Sequence, residues 1–126
     1  MSEEAMKMAK ALVGDLNLPK GMDPLTFVQD VVDQIIKDFA LDRNRLAASS
    51  ISLVHLLADD IAEGLAGHRA DEVFAAFYRL DLGEDLIRET LEAHDRQAAA
   101  LTLARLSVQR ATMKVWSRWN YKSQTS

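Results

Sequence analysis

Residues 95–121, DRQAAALTLARLSVQRATMKVWSRWNY, contain no Gly or Pro and read as one helix about 40 Å long at roughly 1.5 Å per residue. Leu101, Ala104, Val108, Ala111, Val115 and Trp119 succeed one another at steps of three or four. That spacing gathers them into a single apolar seam on one side of a helix. Leu106, Met113 and Trp116 make a second strip beside it. A helix so long, and apolar over so wide an arc, needs several partners, so the remaining segments are expected to pack around it.

Those segments have helical signatures of their own. Met6, Ala9, Leu12 and Val13 fit a short helix over residues 2–13 that Gly14 would end, followed by a Pro- and Gly-containing linker to Met22. Residues 1–22 are therefore expected to form an N-terminal arm, and residues 23–126 a helical-bundle domain. Asp23-Pro24 is a strong helix start, because the carboxylate can accept free amides and Pro suits the first helical position. Val28, Val31, Val32, Ile35, Ile36 and Phe39 then mark one face, at a period that favours helix over strand despite the β-branched residues. A second helical region is expected from Asp42 to Leu65, as one helix or as two with Ser49-Ser50 starting the second, and with Val54, Leu57, Ala58, Ile61 and Leu65 facing inward. Gly67 stops it. Val73, Phe74 and Phe77 define a shorter helix from about Arg69 to Leu80, and Asp81 with Glu84 resembles a capping box opening a fourth helix through Leu86, Ile87 and Leu91. Asp95 is expected to cap the long helix. The fold class is all-α: a compact bundle of four to five helices packed around a long C-terminal helix.

Composition narrows the function. At 126 residues the chain is one domain's length. The lack of Cys removes disulfides, thiolate metal sites and a Cys nucleophile. No apolar run approaches the roughly 20 residues of a membrane span, and no signal-peptide pattern opens the chain, so a cytoplasmic location is expected. The net charge of −4 hides an asymmetry. From Arg105 onward there are five cations and no Asp or Glu, which leaves residues 1–104 at −9. An acidic body with a basic end suggests an interaction surface.

Arg110, Lys114, Arg118 and Lys122 recur at every fourth residue, near Trp116, Trp119 and Tyr121. Such a row can neutralise phosphates while aromatic rings stack on unpaired bases. It can equally complement a helix C-terminus or an acidic partner, and a nucleic-acid domain is more often basic overall. His55, Asp59 and Glu63 share a helix face at i+4 steps, a spacing that could hold a metal ion but is common on solvated faces. The residues three before His55, His68 and His94 are Ser52, Leu65 and Leu91, so the Glu-x-x-His pairs of di-iron bundles are absent. Phosphate-binding Gly-rich loops, a His-Glu-x-x-His pair and a G-x-S-x-G elbow are also missing. Asp59-Asp60 and Glu84-Asp85 project in different directions on a helix and do not form dyads by spacing. No catalytic residue, metal or cofactor is assigned.

The run FYRLDLGEDLIRETL at residues 77–91, followed by a helix ending in Lys, Arg and aromatics, resembles small bacterial helical proteins. That resemblance implies no activity. The reading is a non-catalytic protein-interaction or oligomerisation module, with Val108, Ala111, Val115, Trp116 and Trp119 as the expected interface. A homodimer pairing the C-terminal helices antiparallel, or a hetero-partner, would use it. The alternative is a small RNA- or DNA-binding accessory protein using Arg110, Lys114, Arg118 and Lys122. A third reading, a small-ligand or metal-dependent enzyme, requires a concave polar pocket around His55 and Asp59. A membrane contact is disfavoured by the acidic body.

Overall fold

The computed structural model describes residues 23–42 and 53–125, with backbone alone at 24, 25 and 122–125. Among the described residues the chain is all-α, with five helices and no strand. They are α1 (Pro24–Phe39), α2 (Leu53–Ala66), α3 (Ala70–Arg79), α4 (Glu84–Ala93) and α5 (Arg96–Thr125). The expected N-terminal arm to residue 22, and the stretch 43–52 in which the second helical region is expected to start, lie outside the described residues. No described helix is long and apolar enough to cross a membrane.

The long C-terminal helix organises the packing: α2 lies along it most extensively, α1 and α4 also pack on it, and α3 sits against α1 and α2. Its buried face is built largely from small side chains, with Ala99, Ala100, Ala104, Ser107 and Ala111 beside Leu103, Val108 and Val115. Small residues let helix axes approach closely. Phe27, Val31, Ile35, Leu57, Ile61 and Phe77 fill the space from the other helices. Each large apolar side chain buried in this way contributes about 1.5–3 kcal/mol. Phe39 and Phe74 both meet Phe77 edge to face, at centroid distances of 5.9 and 6.0 Å.

The helix ends follow local chemistry, with one correction. The Asp95 carboxylate accepts the amide of Ala98 at 2.8 Å and its carbonyl accepts that of Ala99, as expected of a cap. Asp23 opens α1, its carbonyl accepting the Phe27 amide. The capping box expected at Asp81 does not form. Gly83 is the N-cap of α4, with no side-chain cap, whereas Asp81 has φ of +60° and closes α3. The amide of Leu82 reaches back to the Phe77 carbonyl and that of Asp81 to Tyr78, the double bond of a Schellman motif. The chain needs a left-handed residue here, and Asp adopts that conformation more readily than most. Ala40, at φ +54°, closes α1 in the same way, with the Leu41 amide on the Ile36 carbonyl.

Two buried polar features were not legible locally. Asp38 is 4% exposed. It accepts Gln34 Nε2 at 2.8 Å and lies 3.6 Å from Arg79 Nε, while the Arg79 guanidinium also donates to the Asp38 carbonyl. This cluster ties the end of α1 to the end of α3. Ser107 Oγ is buried without a hydrogen-bond partner among the described residues. Thr102 and Thr112, on the same helix, bond back to the carbonyls of Ala98 and Val108. Removing an unsatisfied hydroxyl removes its desolvation penalty, and Ala is the better helix former. Ser107→Ala is therefore expected to leave stability unchanged or raise it by up to about 1 kcal/mol in urea denaturation. A loss above that size would mean the hydroxyl has a partner.

Candidate interaction surface

The cations of α5 are placed by the end of α3. The last carbonyls of a helix have no partner within it. In α3, those of Ala76, Phe77 and Tyr78 are taken by the amides of residues 80–82. Two more remain, and α5 supplies their donors: Lys114 Nζ reaches the Arg79 carbonyl at 3.3 Å, and Arg110 Nε reaches that of Leu80 at 3.2 Å. Arg110 Nη2 also stands 3.8 Å from the Asp81 carboxylate. Positive charge at a helix C-terminus is favourable on its own account. Two members of the basic stripe are thus engaged in closing a neighbouring helix. Arg118 is exposed and lines a shallow groove with Asp30, Asp33, Gln34, Lys37 and Trp119. The Lys122 side chain lies outside the described residues.

The expected interface requires correction. Val108 is 6% exposed, and Ala111 and Val115 are fully buried against the chain's own helices. The seam does not outrun the body as far as Val115, because α1 and α2 both lie along α5. Trp119 continues the seam half-buried, and its indole N–H donates to the Asp30 carboxylate at 2.7 Å, tying α5 to α1. Trp116 is half-buried on the core's edge.

The outer side of α5 is a different surface. Leu106, Gln109, Met113 and Trp116 follow one another at steps of three, four and three, the spacing of a helix seam. Met113 is 39% exposed and Gln109 is exposed; Leu106 and Trp116 are half-buried on either side. Arg105 is exposed along one margin of this strip, and Arg110, with a side chain 48% exposed, along the other. Sequence spacing alone places Leu106, Met113 and Trp116 on this strip, beside the seam that forms the core.

The enzyme reading finds less. His55, Asp59 and Glu63 are exposed on α2, and among the described residues no three His, Asp or Glu side chains come together to hold a metal. Two grooves lie near the ends of α1 and α3. One, of about 350 Å³, is lined by Asp38, Asp60, Arg69, Glu72, Val73 and Arg79 among others. The second includes Leu56, Asp60, Glu63 and Arg69. His55 and Asp59 line neither. In both, the guanidiniums face carboxylates of the chain itself, Arg69 on Asp60 at 3.5 Å and Arg79 on Asp38. Tyr78 titrates above its ordinary value of 10.0, through partial desolvation of the phenol and then the charge of Glu84, to which it donates a hydrogen bond of 3.3 Å. That shift makes the phenol a weaker acid. No protein-family model matches the sequence, and neither a curated protein nor a solved structure shows detectable similarity to it.

Proposed function

We propose that the protein is a non-catalytic protein-interaction module working in the cytoplasm, and that its contact surface is the outer face of α5. The observation that carries this reading is the placement of Met113. It is an exposed, adaptable apolar side chain at the centre of a strip whose apolar neighbours, Leu106 and Trp116, are only half-covered. Nucleic acid is the second choice, because Lys114 already donates to an α3 carbonyl, Arg110 is engaged there on one edge, and the whole chain is acidic.

The test is a photo-crosslinking residue placed at position 113, with a control at the exposed Asp59. The expected result is a discrete protein adduct at 113 alone, whose purified partner binds the unmodified chain at least about tenfold more tightly than Met113→Asp, the loss of a modest hot spot. Adducts to nucleic acid only, or equal binding by Met113→Asp, would refute the reading.

A further inference from the structure

We infer, resting on the interaction face proposed above, that its partner is an acidic amphipathic helix and not a second copy of this chain. The argument is one of register. With Leu106 and Met113 as the a positions of a helix seam and Gln109 and Trp116 as the d positions, Arg105 falls at g and Arg110 at e. Side chains at e and g choose the partner of a helix pair. In a parallel pairing of two α5 helices, g faces the e position five residues later on the other copy, which sets Arg105 against Arg110. In an antiparallel pairing e faces e and g faces g, and the register that seats Met113 against the other copy's Gln109 sets Arg110 against its own counterpart. Both orientations bring guanidiniums together, and like charges opposed across an interface act against association.

No acidic residue within α5 relieves this, because the helix contains no Asp or Glu from Arg96 to Thr125. Asp81 offsets part of the Arg110 charge. A partner helix with apolar a and d positions and Glu or Asp at e and g satisfies both margins at once. Its apolar edge covers Met113 while its carboxylates meet Arg105 and the outer edge of Arg110. This is recognition of an amphipathic helix by a strip that carries Leu106, Met113 and Trp116 around Gln109, with one arginine on each side.

The test uses the full chain and three synthetic helical peptides that share Leu at a and d and carry Glu, Gln or Lys at e and g, titrated by fluorescence anisotropy at low and high salt. The Glu peptide is expected to bind about threefold to tenfold more tightly than the Gln peptide, with the Lys peptide weakest. The Glu advantage should shrink as salt rises. Arg105→Glu, at an exposed position that spares the Arg110 bond to α3, should reduce or reverse the preference. Equal binding of all three peptides, lost in Met113→Asp, would overturn the acidic partner and leave the face standing. Peptide binding indifferent to Met113→Asp would overturn the face itself. A dimer mass in light scattering that Met113→Asp reduces to monomer would replace the acidic helix with a second copy. Binding of a single-stranded oligonucleotide, but of no peptide, would replace it with nucleic acid.

Discussion

Val115→Asp is expected to unfold the domain. The sequence places Val115 in an expected interface, but Val115 is fully buried in the chain's own core. Replacing it forfeits about 1.5–3 kcal/mol of apolar burial. It also puts a carboxylate where no partner waits, at a further cost of several kcal/mol. The total is comparable with the roughly 5–15 kcal/mol that holds a domain of this kind together. The introduced acid is least harmful when protonated. The variant's deficit relative to the parent should therefore be smallest below the ordinary Asp pKa of about 3.9 and widen as pH rises above it. Met113→Asp, two residues earlier but exposed, should change stability by no more than about 0.5 kcal/mol. Urea denaturation followed by circular dichroism compares the two. A Val115→Asp variant as stable as the parent would mean that this side of α5 is not interior.

The second large effect is at Gly64, on the buried side of α2. A Cβ built there would lie 2.6 Å from Val73 Cγ2 on α3. Val73 is 3% exposed and β-branched, so its rotamer has little freedom to yield. Two terms compete in Gly64→Ala. The gain in helix propensity is about 1 kcal/mol, whereas overpacking a tight core costs typically 1–3 kcal/mol. The clash is expected to win, for a net loss of about 1–2 kcal/mol, and a larger side chain should lose more. On a Val73→Ala background the obstacle is gone, and the same change should become neutral or stabilising. Such a reversal is the signature of direct coupling between the two sites. A plain gain in stability from Gly64→Ala alone would contradict the close approach of α2 and α3.

These two sites mark where local reading of the chain succeeds and fails. Long-period apolar patterns carried the architecture: α1 begins at Pro24 and ends at Phe39 as its face predicts, and Asp95 caps α5. The extent of the buried arc on α5 was harder to read. Ala99, Ala100, Ser107 and Thr112 belong to it, yet small or hydroxylated residues carry little hydropathy signal and act by letting a neighbour come near. Gly64 does the same from α2. The burial of Asp38 depends on Arg79, which is 41 residues away along the chain. The use of Arg110 and Lys114 depends on the orphan carbonyls of another helix, which spacing within α5 does not reveal. The outer strip was visible as Leu106, Met113 and Trp116. What the sequence could not show was which of two apolar strips the body would cover.

That division of α5, with one side spent inside the chain and the other left for a partner, is tested most directly by amide hydrogen exchange along the helix at several protein concentrations. Exchange from core elements requires opening close to the global stability, whereas frayed ends exchange freely. The expected result is that amides from Ala99 to Val115 are among the slowest in the protein and keep the same protection on hundredfold dilution, because the cover is intramolecular. Protection over Val108 to Val115 that falls with dilution would show that a second copy covers the seam, and would contradict the account.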